Sequence, residues 1–257
     1  MSTVAARSFK EQHPDHHLTL GVGPQFKDML PLFHDHPYFD AVHAYSTYDG
    51  WPGPKDTEYL KAMKFDLMFD GTAQHRDNEW WKERHQYAEA CHMMGLPVPA
   101  DINPILTRWF GREPAQNRKM VAFAPFGGNG NLNDKMLSVV QAQTIVDWLV
   151  DKGYMVLHLG AANEPQLEGA QWLNTCYFDS VRNMLSCRAL IHCDTGLGHV
   201  AGAYNHLSLG LYGCRYFGKE WAHQIMPRHR NFVSVTADVV SNLDLDKVCE
   251  TLTLLFS

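Results

Sequence analysis

Residues 194–199 read DTGLGH, and this stretch decides the fold of the second half of the chain. An apolar run precedes it at residues 189–193, and a helix-like segment follows at residues 200–204. A buried strand, a glycine-containing turn and a helix start together form an anion site, because the first N–H groups of a helix lack partners within it and its dipole is positive there. Gly196 and Gly198 let the backbone come close to a phosphate. The stretch therefore predicts a diphosphate site, with an ordinary strand-to-helix turn as the alternative.

The composition is that of a soluble globular protein. The 257 residues are 45% hydrophobic and 19% charged, and no apolar run reaches the roughly 18 residues needed to span a bilayer. The net charge of −6 argues against general nucleic-acid binding. The N-terminus has no apolar signal core, and the six cysteines form no C-x-x-C pair. We therefore expect a cytoplasmic protein with reduced thiols, no transmembrane segment, and at most peripheral contact with a membrane.

Metal binding is not expected from the histidine pattern. The chain has fifteen histidines, but no carboxylate or cysteine partner falls at a recognised metal-ligand spacing. Solvated loop histidines explain the clusters near residues 13–17 and 34–36.

Strand-like and helix-like segments alternate along the chain, which implies parallel strands joined by crossover helices. The strand candidates are residues 18–22, 41–43, 65–70, 120–125, 155–159, 189–193 and 207–212. The helix candidates are residues 25–33, 57–63, 78–94, a helix capped by Asp134 that ends at residues 152–153, and residues 245–255. The apolar face of the helix after Asp134 consists of Val139, Ala142, Ile145, Val146 and Leu149.

The proline-containing segment 97–119 is predicted to link two domains. The expected architecture is α/β, with two Rossmann-like domains at residues 1–113 and 114–257. Ligands of such sheets bind beyond the carboxyl ends of the strands, so we expect the ligand in a cleft between the domains.

Three sequence blocks, taken in order, resemble the donor-binding domain of the heptosyltransferases. These are GT-B glycosyltransferases of lipopolysaccharide core assembly. The blocks are residues 124–128 with Lys135 at the start of the next helix, residues 156–160 with Glu164, and residues 194–201 with residues 211–213. The resemblance covers residues 120–213 well and the N-terminal half loosely.

The resemblance implies inverting, metal-independent transfer of a sugar, such as heptose, from a nucleotide-diphosphate donor, without a cofactor. The acceptor would be a hydroxyl of a carbohydrate or glycolipid. Lys135 would pair with the diphosphate, Asp194 would hold a sugar hydroxyl, and His199 would donate to the phosphates. Their alternatives are a solvated lysine, a helix-capping aspartate and a packed histidine. The implied donor-binding residues are Gly127, Lys135, Asp194, Thr195, Gly196, Leu197, Gly198 and His199, and the implied catalytic residues are Lys135, His199 and Asp70.

The usual catalytic base has no counterpart in this sequence. In the family, the first strand ends in a Gly-Asp turn whose aspartate is thought to deprotonate the acceptor. Here residues 7–14 resemble the tail of the following helix and residues 18–22 resemble the second strand. We therefore expect a shortened N-terminal domain without that first strand. Asp70, at the end of a predicted strand, is the leading candidate for a substitute base. His75 and Asp15 are the other candidates. Alternatively, Asp70 is an ordinary turn residue at the end of its strand.

An aromatic tract at residues 79–85 is a candidate for the acceptor side. Trp80 and Trp81 could stack on sugar rings, and Arg84 could meet an acceptor phosphate. The alternative is an amphipathic helix whose tryptophans pack into the core.

Two other functions remain compatible with the sequence. One is a catalytically silent GT-B module that binds a nucleotide sugar or a partner protein, which the missing base favours. The other is a nucleotide-sugar epimerase of the same fold.

Overall fold

The computed structural model describes residues 2–44, 82, 84–104, 106, 117–126, 135–215, 218–220 and 222–257. The chain divides into two units, Met1–Trp109 and Phe110–Ser257, where the sequence predicted a boundary between residues 113 and 114. Several predictions lie outside the described residues: the helix at 57–63, the strand at 65–70, Asp70, His75, Trp80, Trp81, Gly127 and Asp134.

The first unit contains a short parallel sheet and flanking helices. Its elements are α1 (Ser2–Gln12), β1 (Thr19–Val22), a 3₁₀ helix (Pro24–Phe33), β2 (Ala41–Ala44) and α2 (Gln86–Met93). β1 and β2 pair in parallel, with Thr19 opposite Ala41. Both strand predictions are therefore confirmed, and the segment predicted as helical at residues 25–33 adopts the tighter 3₁₀ form.

Within the described residues, the helix predicted at residues 78–94 begins later than expected. It begins at Gln86, because His85 has an extended backbone and its Nδ1 accepts a hydrogen bond from the Tyr87 N–H at 3.2 Å. The prediction was therefore wrong for residues 84 and 85. Its predicted end is confirmed, since Gly95 has a φ of +64° and stops the helix.

The second unit is mostly an alternation of strands and helices. Its elements are β3 (Asn117–Ala124), α3 (Val139–Asp151), β4 (Met155–Leu159), β5 (Ala170–Leu173), α4 (Tyr177–Ser186), β6 (Cys187–His192), α5 (Gly196–Ala203), β7 (Ser208–Gly213), β8 (Phe232–Ala237) and α6 (Leu245–Phe256). The sequence predicted every one of these except β5, α4 and β8.

These strands form a single sheet with the order β5-β4-β3-β6-β7-β8, and every neighbouring pair is parallel. This is the doubly wound order of dinucleotide-binding folds, in which the chain moves outward from β3 in one direction and then from β6 in the other. The reversal between β3 and β6 opens a crevice beyond their carboxyl ends. The predicted α/β class is therefore confirmed, and in folds of this topology ligands bind in that crevice.

The central strands are buried on both faces, as parallel strands covered by helices must be. Val121, Phe123 and Ile191 on one face are at most 1% exposed, and so are Ala122, Leu190 and Tyr212 on the other face. Within the described residues, no helix combines the length and the apolar character that crossing a bilayer requires.

The start of α3 differs from the prediction. Its cap is Ser138, whose hydroxyl accepts from the Gln141 N–H at 3.2 Å while the Gln141 side chain accepts from the Ser138 N–H at 3.0 Å. This reciprocal capping box satisfies two backbone donors, so the helix begins at Val139 and not after Asp134. Val139 is 47% exposed and was wrongly assigned to the apolar face. The other four predicted positions on that face are buried, and Gly153 ends the segment with a φ of +80°.

Candidate functional site

The chain segments that leave β3 and β6 are tied together at the crevice. The Cys193 N–H donates to the Ala124 carbonyl and the Cys193 thiol donates to the Pro125 carbonyl, each at 3.2 Å. The Leu137 N–H also donates to the Pro125 carbonyl at 3.2 Å. Burial raises the pKa of the Cys193 thiol to about 12, so the thiol stays protonated and able to donate. These bonds fix the backbone on both sides of the position where the sheet order reverses.

An ion pair joins the two sides of this crevice. Lys135 Nζ lies 2.8 Å from Asp194 Oδ2, and the two side chains are 33% and 21% exposed. Lys135 was predicted at the start of a helix, but it lies in a bend before α3, because α3 begins only after Ser138. The bend lets the ammonium group reach the end of β6 while it stays accessible to solvent. An ammonium group has three N–H donors, so pairing with Asp194 does not exclude contact with a phosphate oxygen.

The N-terminus of α5 lies directly after Asp194. Thr195 is the N-cap residue, with extended backbone angles, and its side chain makes no capping hydrogen bond, so α5 is uncapped by its own N-cap residue. The Asp194 carboxylate contacts Lys135 and does not take the capping role that was its alternative. The Gly198 N–H donates to the Thr195 carbonyl at 3.1 Å, and the positive end of the α5 dipole lies directly after β6, at the crevice.

Two buried hydroxyl groups accompany this helix start. Thr195 Oγ1 and the Tyr177 hydroxyl are both buried, and neither has a hydrogen-bond partner within the described residues. A buried polar group without a partner costs about 1–3 kcal/mol. Burial also raises the pKa of Tyr177 well above its usual range, so its hydroxyl is a neutral donor. Both hydroxyl groups are therefore available as donors to a hydrogen-bond acceptor at this helix start.

A buried histidine lies beneath the first turn of α5. His192, at the end of β6, is 0% exposed, and its Nδ1 lies 2.6 Å from the Cys193 carbonyl. This short bond assigns the proton to Nδ1, because a carbonyl oxygen can only accept. Burial lowers the pKa of His192 to about 4, so the ring is neutral near pH 7. Its edge faces Gly198, where a Cβ atom would collide with the ring.

We expect Gly198→Ala to destabilise the protein by about 1–3 kcal/mol, because a methyl group in this packed contact must push α5 away from β6. Urea denaturation measures the loss. The matched control is Gly202→Ala, one turn along α5, where a Cβ would lie 3.3 Å from the His229 ring and would fit with a small shift. Combining Gly198→Ala with His192→Ala should recover part of the loss. Equal effects of the two glycine variants would contradict the proposed collision.

The second sequence block lies at the end of the neighbouring strand. His158, at the end of β4, is fully buried, and its Nε2 lies 3.5 Å from Glu164 Oε2. The His158 ring also makes an edge contact with Phe126, which follows β3, at a centroid distance of 5.7 Å. The carboxyl ends of β4, β3 and β6 therefore carry all three sequence blocks on one edge of the sheet.

The remaining predicted residues lie either within α5 or in the first unit. His199 is half-buried in α5, Leu197 is buried and Gly196 is exposed. Arg84, predicted to meet an acceptor phosphate, has its Nη1 paired with the buried carboxylate of Glu89 at 2.8 Å. Asp15 is exposed in the turn after α1.

Sequence reasoning missed Tyr177 and His192. His192 could have been found, because it is a polar residue at the end of an otherwise apolar strand. Tyr177 carries no local signal, because its position at the start of α4 relates to α5 only through the fold.

No protein-family profile and no curated protein sequence matches the chain. Among solved structures it is similar to the E. coli ADP-heptose lps heptosyltransferase II, with a TM-score of 0.63 and 15% identity over 99% of this chain and 94% of that one. It is also similar to a family 9 glycosyl transferase from Veillonella parvula DSM 2008, with a TM-score of 0.69 and 11% identity over 99% and 92%. E. coli heptosyltransferase WaaC with ADP gives a TM-score of 0.64 and 12% identity over 98% and 95%. The resemblance drawn from the three sequence blocks is therefore confirmed at the level of the fold.

Proposed function

Starting from this heptosyltransferase-like fold, we propose that the protein is a glycosyltransferase whose donor is a nucleotide-diphosphate sugar. The acceptor is a hydroxyl group of a carbohydrate or glycolipid, and the transfer inverts the anomeric centre without a metal or a cofactor. The observation that carries the proposal is the Lys135–Asp194 ion pair beside the uncapped start of α5, at the point where the sheet order reverses.

The chemistry of sugar transfer accounts for this arrangement. As the bond between the sugar and the diphosphate breaks, negative charge builds up on the leaving phosphate. Fixed donors placed where charge develops lower the barrier more than donors that must reorganise. The N–H groups of α5 and the Lys135 ammonium are such donors, and together they can replace a divalent cation in this role.

Asp194 has two proposed tasks. Its carboxylate holds the Lys135 ammonium in position through the 2.8 Å bond. A carboxylate oxygen can also accept from a hydroxyl of the donor sugar, because each oxygen has more than one acceptor site. His199, one helical turn after Thr195, is proposed to donate to the same phosphates, and Asp70 is proposed as the base that deprotonates the acceptor.

An adenosine diphosphate sugar is the first donor to test. Two of the similar structures are described with ADP and with ADP-2-deoxy-2-fluoro heptose, both as E. coli heptosyltransferase WaaC. Donors with uracil or guanine bases belong in the same screen, because the residues that carry this proposal contact the diphosphate and the sugar and not the base.

The test measures release of nucleotide diphosphate from a panel of such donors, with and without oligosaccharide and glycolipid acceptors. We expect acceptor-stimulated release from at least one donor. We expect Asp194→Asn to lower it by about 10-fold to 100-fold because the variant removes the negative charge that lies 2.8 Å from the Lys135 ammonium group. Asp151→Asn, at the exposed end of α3, is the control and should leave release unchanged.

Three outcomes would contradict this proposal. Binding of the donor without release under every acceptor would indicate the silent module. Conversion of the donor into sugar isomers without an acceptor would indicate an epimerase. Release that is unchanged by Asp194→Asn would place the reaction away from this crevice.

A further inference from the structure

A tyrosine outside the three sequence blocks lies against the start of α5. Tyr177 is the first residue of α4 and Gly196 is the first residue of α5. The Tyr177 hydroxyl oxygen is the atom nearest to the point where a Cβ of Gly196 would stand, at 2.8 Å. Gly196 itself is exposed, so ligand atoms can approach this turn. The hydroxyl therefore lies beside the turn that carries the uncapped N–H groups.

The Tyr177 hydroxyl has no partner in the part of the chain that the structure describes, and neither does Thr195 Oγ1. Buried polar groups in native proteins nearly always have a hydrogen-bond partner, so two exceptions at one helix start need an explanation. Both groups can donate, and the neighbouring N–H groups and the Lys135 ammonium can only donate. The oxygens of an anion are the chemical group that accepts from donors of each of these kinds.

We propose that Tyr177 is a further donor-binding residue, whose hydroxyl group donates a hydrogen bond to an oxygen of the diphosphate held by Thr195 and the start of α5. This inference rests on the proposed function and adds a contact from a second helix. The raised pKa of the phenol keeps it protonated, so it donates to the anion and does not repel it. With donors from α4 as well as α5, the site encloses the phosphate from two sides and favours a diphosphate over a neutral ligand.

A purely structural role for the hydroxyl group makes a different prediction. A structural hydroxyl has a partner in the free protein, so its removal lowers stability. The Tyr177 hydroxyl has none among the described residues, so phenylalanine keeps the packed ring and removes an unsatisfied group. Tyr177→Phe should therefore leave the free protein at least as stable as the wild type while it weakens ligand binding.

The experiment compares wild type, Tyr177→Phe, Lys135→Ala and the control Tyr154→Phe, which alters a tyrosine that packs on Phe256. Calorimetric titration uses ADP, UDP, GDP and inorganic pyrophosphate, and thermal unfolding is measured without ligand. We expect Tyr177→Phe to bind the tightest of these probes about 10-fold to 100-fold more weakly, because hydrogen bonds to charged groups are the strong ones. Its midpoint of unfolding should equal or exceed that of the wild type, and Tyr154→Phe should bind as the wild type does.

The outcomes separate this inference from the function on which it rests. Wild-type affinity in Tyr177→Phe, with weakened binding in Lys135→Ala, would overturn the tyrosine contact and leave the proposed function standing. A lowered unfolding midpoint or failure to fold in Tyr177→Phe would show a structural partner and also overturn the contact alone. Absence of binding to every diphosphate in the wild type would overturn both.

Discussion

Replacing Lys135 by alanine should lower kcat/KM for release of the nucleotide diphosphate by about 10²-fold to 10³-fold, the range found when one fixed donor to a developing anion is removed. The ammonium group is held 2.8 Å from Asp194 and only one third of the side chain is exposed, so its position is set before the ligand binds. The loss should fall on kcat and on kcat/KM alike, because charge on the leaving phosphate is greatest in the transition state. Steady-state release assays with the best donor of the screen measure it.

Two further variants test the cause of that loss. Lys135→Arg keeps the charge with a different shape, so it should recover part of the activity. Lys247→Ala removes an exposed lysine from the first turn of α6 and should have no effect on release. If Lys135→Ala retained wild-type kcat/KM, the ammonium group would be a solvated surface charge, and the ion pair would not be part of a donor site.

Acidification from pH 6.5 to about pH 4 should lower the free energy of unfolding of the second unit, because His192 is protonated more readily in the unfolded chain than in the folded one. Burial lowers the pKa of this histidine to about 4 in the folded protein, outweighing the opposing effects of the Cys193 carbonyl and of Asp194. Below pH 6.5 the unfolded chain binds a proton at His192 and the folded chain does not, so the free energy of unfolding falls as the pH falls. The pKa shift of His192 corresponds to about 3 kcal/mol of the free energy of unfolding, and this contribution is fully lost below pH 4.

Two other histidines act in the same direction. Burial lowers the pKa values of His206 and His229 to about 4 as well, so the total dependence should exceed that of His192 alone. Urea denaturation from pH 7.5 to pH 4 measures the slope. His192→Asn removes the titrating ring and should flatten the curve relative to the wild type, whereas His223→Asn changes an exposed histidine and should not. A wild-type slope in His192→Asn would show that His192 titrates normally.

The order of elements in the second unit was largely predictable, because each element depends on local features. The apolar face of α3 follows from helical spacing, and Gly153 ends the segment because its positive φ suits glycine. The start of α3 was predicted wrongly because two capping candidates, Asp134 and Ser138, precede it. Ser138 alone has a glutamine three residues later, and the reciprocal bonds with Gln141 fix the boundary.

β5 and β8 were missed because their short sequences mix polar and apolar residues. α4 was overlooked although its buried residues Val181, Met184 and Leu185 have helical spacing. β5 and β8 are edge strands that need little burial to form, since one neighbouring strand supplies their backbone hydrogen bonds. A periodic apolar pattern is strong only where an element is buried on a defined face.

The sequence by itself determined that residues 194–199 join a buried strand to a helix start, because an apolar run, a turn with glycines and small helix-forming residues are adjacent in the chain. The tertiary structure decided which side chains meet there. Lys135 and Asp194 are 59 positions apart, and they pair because β3 and β6 became neighbours in the sheet. The contact of Tyr177 with Gly196 likewise depends on how α4 packs against α5, and the contact of His192 with Gly198 depends on how α5 packs against the end of β6. Such proximity follows from strand order and helix packing and not from local periodicity.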